Sequence, residues 1–447
     1  MDKKIAFLVF PDWLDPRRAN KSFDGVSNIG AYMLMDVAER NGIHIGFCSV
    51  DTAFEQDIVL VSMTSQFDIL SFYRSVRRHP DWQRGKRRFR VLCGGFGMQN
   101  PFAILDYVDS LWFGRCEDEF INWLTIEDYE HESLMYPDKP KVCKIHQVDC
   151  LYPHEIRLHT GISGHDNFTE KIMGCPNKCF FCHFSFARKH IPTSEHYNLN
   201  EYGKGSQELD MFNIDDIDYR IPKITIGLDG ISERLRYMVN KRISDDFVKE
   251  TLLRISANTK CRGVRLTFYN ITGYETETDE DLEDLKEVLL YVAPKMKNPI
   301  ALLIHTTPLE PSVATPIAYS AVNIHSNSDV WRSKDIIPRF DRFTAFHSRY
   351  SGSSWTQLCE VVVSRFTEEY RSLLDLICFN PKFREFGNAD KLSYCENHFD
   401  LTNLVRRYET SEQLPSWVCE SYFGQDVVRK MRDKMVEKID KYNNKNK

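Results

Sequence analysis

The chain has 447 residues, a net charge of −6, 42% hydrophobic and 27% charged residues. These values fit an ordinary globular protein with room for two or three domains, and they give no general attraction to nucleic acid. No apolar run reaches membrane-spanning length, and Met1-Asp2-Lys3-Lys4-Ile5 does not read as a signal peptide. With 13 cysteines, an odd number, the expectation is a cytoplasmic protein off the membrane with mostly free thiols.

The N-terminal third alternates strands and helices. Lys4 to Phe10 is an apolar run stopped by Pro11 and reads as a buried strand. Gly25 to Arg40 reads as a helix, with Ile29, Tyr32, Met33 and Val37 at helical spacing. Strands follow at Ile43 to Val50, Asp57 to Met63, Phe89 to Cys93 and Leu111 to Gly114. Helices are expected at Phe67 to Arg78, Pro101 to Tyr107 and from Asp118. This order predicts a Rossmann-like, doubly wound parallel sheet over residues 1–125. Ligands of such sheets bind at the carboxyl ends of the strands, which here carry Ser62, Thr64, Ser65, Gly94, Gly95, Gly114, Arg115, Glu117 and Asp118. Between Arg74 and Arg90 lie Arg74, Arg77, Arg78, Arg84, Lys86, Arg87, Arg88 and Arg90 against one acid, Asp81. Such a patch suits phosphate contact, although charge runs more often form solvated surface.

Residues 126–150 are polar and contain proline, as in a linker. A glycine-rich turn and a strand at Lys171-Ile172-Met173 then lead into Gly174-Cys175-Pro176-Asn177-Lys178-Cys179-Phe180-Phe181-Cys182-His183. Three thiolates from Cys175, Cys179 and Cys182 on one loop can ligate three irons of a 4Fe–4S cube. They leave the fourth iron open for a chelating molecule, where four cysteines would leave none. Zinc is the rival, with Cys143, Cys150 or His183 as a fourth ligand, although structural zinc usually uses paired C-x2-C or His motifs. The C-x3-C-x-aromatic-C pattern, with Phe181 as the aromatic, resembles the radical S-adenosylmethionine (radical SAM) family. That resemblance implies SAM on the open iron and its reductive cleavage to a 5′-deoxyadenosyl radical that abstracts hydrogen. It also implies an electron donor such as flavodoxin or ferredoxin.

Further along, Ile224-Thr225-Ile226-Gly227-Leu228-Asp229-Gly230 is a strand running into a turn, followed by Ser232-Glu233-Arg234-Leu235 and Asn240-Lys241. The stretch resembles a family segment near the SAM ribose and carboxylate, which makes Asp229, Ser232, Glu233 and Arg234 candidate contacts. The plainer reading is a helix start capped by Ser232. Val264 to Asn270 is another strand, and Thr278 with Asp281 forms a capping box before the next helix. Asn270 and Gly273 are expected at the barrel mouth, near SAM. Leu302 to Pro316 resembles the closing strand of the family core and its loop.

The resemblance implies a partial (β/α)6 TIM-type barrel over 151–320 and a mainly helical region over 321–447 that closes it. The domain at 1–125 resembles the cobalamin-binding-type domain that precedes this core in one subgroup. The subgroup's D-x-H-x-x-G motif has no counterpart here, so cobalamin is a permitted cofactor and not the favoured one. The favoured function is radical isomerisation or rearrangement of a nucleotide or nucleic acid held by the Arg74–Arg90 patch, for instance a hypermodified base in phage DNA. Two alternatives stand beside it: a cobalamin-dependent methyltransferase acting on a small molecule, and a zinc-stabilised nucleic-acid-binding protein without catalysis.

Overall fold

The computed structural model describes residues 3–13, 28–157, 167–170, 172–191, 207–209, 223–257, 265–325, 343–350, 353–414 and 418–445. Its first sheet holds β1 (Ile5–Leu8), β2 (Ile45–Cys48), β3 (Ile58–Ser62), β4 (Arg90–Gly94), β5 (Ser110–Trp112) and β6 (Leu134–Met135). The order is β2-β1-β3-β4-β5-β6, parallel except at β6. The period of two in a strand sends alternate side chains to opposite faces. Ile5, Phe7, Ile58 and Leu60 pack beneath α1 (Ile29–Arg40) and α3 (Phe120–Thr125). Ala6, Leu8, Val59 and Val61 pack with α2 (Phe67–Val76) on the other face. Burial on both faces explains why these strands read as continuous apolar runs.

Short pairs follow: β7 (Cys143–Lys144), then β8 (Ile156–Arg157) antiparallel to β9 (Asn167–Phe168). The strand expected at Lys171-Ile172-Met173 reduces to a bridge between Met173 and Ile191, with Lys171 outside the described residues. The second sheet, β10 (Gln207–Leu209), β11 (Lys223–Gly227), β12 (Arg265–Thr272), β13 (Ile300–Pro308) and β14 (Phe343–Tyr350), is parallel and in chain order. Its helices include α4 (His183–Ala187), α5 (Glu233–Met238), α6 (Asp245–Ala257) and α7 (Asp279–Val292). Ile224, Ile226, Leu266, Phe268, Leu302 and Ile304 pack against these helices. The opposite face is more open, with Tyr269 41% exposed against the His305 ring.

Two features differ from expectation, one boundary and one packing face. β14 pairs with β13 from Ile300 to Thr306, so the second sheet runs past residue 320. The remaining elements are α8 (Ser354–Ser364), α9 (Arg371–Phe379), α10 (Pro381–Glu385), α11 (Asn388–His398), α12 (Thr402–Val405), β15 (Cys419–Glu420) and α13 (Gln425–Lys445). Most of these helices back the first sheet and do not cap the second. The cause is α2, whose buried set Ile69, Leu70, Phe72, Tyr73 and Val76 runs nearly all the way round. A helix apolar on all sides needs a second covering layer. Leu358, Val361, Val362, Leu373 and Leu374 provide it. Tyr73 Oη donates to Asp375 Oδ1 at 2.6 Å, and Asn100 Nδ2 donates to Ser364 O at 3.3 Å and Phe366 O at 3.2 Å. α13 instead packs on α5.

Candidate active site

The cysteine loop is held from both ends. Gly174 has φ +68°, and a Cβ there would lie 2.4 Å from Lys189 O, so the bridge between Met173 and Ile191 requires glycine. Asn240, itself at φ +61°, donates Nδ2 to Asn177 O at 3.0 Å and Lys178 O at 3.2 Å. Phe180 N donates to Val239 O at 2.8 Å, and Ile317 N donates to Phe180 O at 3.1 Å. Lys178 and Asp229 share the left-handed backbone region at φ +53° and +56°. Three such non-glycine residues around one loop are a local concentration of strain, which the surrounding bonds must hold.

Cys179 is buried, while Cys175 and Cys182 are half-buried. The three thiols lie close enough to interact electrostatically. Burial pushes the Cys179 thiol up to about 12, Lys241 pulls it down, and Asp229 and the other two cysteines push it further up. A thiol so placed ionises readily only against a metal cation. Among the described residues no three His, Cys, Asp or Glu side chains converge on a single ion position. Three thiols on one loop are a donor set that a cube can use, one to each of three irons. Phe181 is partly buried and packs on the core beside it.

Asp229 reaches this site and its sequence neighbours do not. Lys241 Nζ lies 2.7 Å from Asp229 Oδ2, with side chains 12% and 19% exposed. The Asp229 carbonyl accepts from the Tyr274 hydroxyl. A Cβ on Gly227 would come within 3.2 Å of Asp229 Oδ2 and 3.3 Å of Lys241 Nζ, so that glycine leaves the space the pair fills. Lys241 was outside the expected contact set, although the Asn240-Lys241 match pointed to it. Ser232, Glu233 and Arg234 are committed elsewhere. Ser232 Oγ accepts from Leu235 N at 3.1 Å and donates to Asp281 Oδ1 at 2.5 Å. Arg234 binds the same carboxylate and donates to Thr276 O at 2.7 Å, and Glu233 Oε2 accepts from Asp245 N at 2.8 Å. These three fasten α5 to α7 and to the start of α6. Asn270 shares the helix-packed face of β12 with Leu266 and Phe268, and neither amide atom has a partner. Gly273 N donates to Glu277, in a turn at φ +88°.

A cleft of about 470 Å³ opens at the strand ends of the first sheet. Its deep part is apolar and runs between the sheet and the α1 and α3 helices, past Phe7, Leu60, Leu92, Phe120 and Trp123. Asn28 lies in the same wall, with Nδ2 buried and without an acceptor. The mouth is formed by Gly94, Gly95 and Phe96 on one side and by α4 residues His183 and Phe184 on the other. Arg115 lines the same cleft: Nη1 lies 2.5 Å from Glu170 Oε1, Nε donates to Glu117 Oε1 at 2.6 Å, and Nη1 lies 3.0 Å from Met173 Sδ. His183 donates or accepts through Nδ1 with Val313 O at 3.1 Å; as a carbonyl only accepts, Nδ1 carries the proton. Burial holds this imidazole neutral, down at about 4.

The basic stretch is largely engaged within the fold. Arg74 donates to Asp12 O at 2.9 Å and lies over Trp13, Arg78 lies over Phe379, Arg84 pairs with Asp138, and Arg87 pairs with Asp109 at 2.5 Å. Lys86, Arg88 and Arg90 have no side-chain ion pair among the described residues.

Cobalamin-bearing radical SAM enzymes are among the solved structures similar to this chain. The radical SAM methyltransferase TsrM from Kitasatospora setae, with tryptophan substrate and a SAM analogue, shares 14% identity. That match has a TM-score of 0.43 and covers 70% of this chain and 74% of TsrM. The cobalamin-dependent SAM radical enzyme OxsB, with aqua-cobalamin and SAM, shares 11% identity at a TM-score of 0.32. The match covers 98% of this chain and 56% of OxsB. An uncharacterized protein of Methanocaldococcus jannaschii is 20% identical over 411 residues, covering 80% of this chain and 89% of that protein. No family model matches. Among the described residues no helix is long and apolar enough to cross a membrane.

Proposed function

We propose that the chain is a radical SAM enzyme that carries a 4Fe–4S cluster on Cys175, Cys179 and Cys182 and a corrinoid in the cleft of its first sheet, and that it methylates a small molecule. One observation carries the reading: a single cleft extends from the strand ends of the first sheet to α4, the helix that begins directly after Cys182. What the sheet binds and what the cysteines bind therefore share a wall. When bound, the cluster supplies an electron for SAM cleavage and the corrinoid supplies a transferable methyl group. The apolar slot can take a flat nitrogen heterocycle, and Asn28 Nδ2 offers it a hydrogen-bond donor. This fit needs no D-x-H-x-x-G histidine. Lys241 would offset thiolate charge beside Cys179 and receive the SAM carboxylate, with Asp229 fixing its position. Phe96, Phe184 and the α2-backed sheet exclude water from the mouth.

A small substrate is favoured over nucleic acid, because most of the Arg74–Arg90 cations are already engaged by the protein itself. Methylation replaces isomerisation as the preferred outcome on the strength of the shared cleft. The test is anaerobic purification with cluster reconstitution, followed by iron and sulfide analysis and a visible spectrum after adding cobalamin. Reduced protein given SAM is expected to form 5′-deoxyadenosine or S-adenosylhomocysteine. Formation of neither sinks the radical SAM reading. SAM cleavage without any bound corrinoid would return the function to isomerisation.

A further inference from the structure

Arg188 follows α4 directly and lines the mouth of the cleft. Its guanidinium carbon lies 4.9 Å from the Phe184 ring centroid and 5.2 Å from that of Phe96. Among the described residues its five N–H donors meet no acceptor, in a hydrogen bond or in an ion pair. The other arginine of the cleft is the opposite case. Arg115 takes both nearby carboxylates, Glu117 and Glu170, and holds them on its own guanidinium. These two acids act on Arg188 only at longer range, against the repulsion of Arg115. Burial pulls Arg188 down to about 10, which leaves it charged at neutral pH.

A charged guanidinium half-buried against two rings, with no partner, is costly unless a ligand completes it. The planar fork of donors matches a two-oxygen anion, and the flanking rings suit an aromatic or other flat body beside that anion. We propose that Arg188 is the anion-reading residue of this cleft: it receives the substrate through a carboxylate or a phosphate ester, with Phe96 and Phe184 against the adjoining part of the molecule. The proposal rests on the function above only in taking the cleft mouth as the place where substrate binds.

The experiment uses the full-length chain with its cluster reconstituted, without SAM or reductant. Calorimetric titration compares benzoate, phenyl phosphate and benzamide, which share a ring and differ in charge. One or both anions are expected to bind at least about ten-fold more tightly than neutral benzamide, the size of one charge-assisted pair. The tighter of the two identifies the group as carboxylate or phosphate. Arg188→Met should abolish the preference, and Arg188→Lys should keep part of it. Equal binding of all three probes by the unmodified chain overturns the proposal, and this needs no variant to fold. A preference that survives Arg188→Met, with the melting temperature showing a folded protein, overturns it as well. Since no turnover is measured, a chain that binds the anions but fails to cleave SAM would refute the function above and leave this assignment standing.

Discussion

Lys241 and Asp229 form a largely buried ion pair beside Cys179, and such pairs are most sensitive to the loss of one partner. Lys241→Met leaves the Asp229 carboxylate unpaired among thiols that must ionise to bind iron. The expected result is a loss of about 3 kcal/mol in urea unfolding and fewer irons per chain after reconstitution. Unchanged iron content would remove Lys241 from the site. Glu310 behaves differently. Burial raises its carboxyl to about 7, and Oε1 has no partner. A carboxyl raised in the folded state stabilises the fold below its unfolded pKa, and that contribution disappears as pH rises through the folded value. Stability should therefore decline by about 3 kcal/mol between pH 4.5 and 7 relative to Glu310→Gln, which should flatten that part of the profile. Denaturant midpoints for the two proteins across this range make the comparison.

At the scale of elements, α5 is set by one serine and one distant aspartate. Ser232 is fully buried, caps Leu235 N and donates to Asp281, which also receives Arg234. Ser232→Ala should cost about 1–2 kcal/mol, the range of a lost N-cap. It should leave SAM affinity unchanged, and a weakened SAM affinity measured by equilibrium dialysis would restore Ser232 as a ligand contact. The cap was readable in the Ser-Glu-Arg-Leu stretch, because capping is local chemistry. The link to Asp281 was not, since it joins residues 49 apart. The cysteine loop has a comparable dependence on Gly174. Gly174→Ala forces a Cβ into the Lys189 carbonyl at a positive φ, and the bridge between Met173 and Ile191 must open. Iron retention is expected to fall sharply while far-ultraviolet circular dichroism stays near that of the parent protein.

For the whole molecule, the surprise is where the C-terminal helices go. They cover α2 and so support the sheet that carries the cleft, far from any role as a lid on the second sheet. Asn100 joins the two layers through Ser364 O and Phe366 O from a fully buried position. Asn100→Ala should cost about 1–3 kcal/mol, as two buried carbonyls lose their donor. It should shift a single unfolding transition. Two separated transitions in calorimetry would show that the helices and the first sheet fold independently.

The sequence by itself determined the local features. Strands such as Ile58–Ser62 and Arg90–Gly94 were legible because burial on both faces demands unbroken apolar runs. The three cysteines were legible as a candidate cluster site because their close spacing puts three thiols on one loop. The capping box of Thr278 and Asp281 was legible because backbone capping is a local matter. Tertiary structure alone decided which of the residues near the motif face it. Asp229 and Lys241 meet at Cys179, one on each side of α5, while Ser232, Glu233 and Arg234 at its start turn to Asp281, Thr276 and Asp245. Tertiary structure also showed that Arg115 has taken both carboxylates and Arg188 none. Charge pairing across a cleft depends on distances between segments that the chain order does not encode, so the unpaired guanidinium of this cleft could be found only in the folded chain.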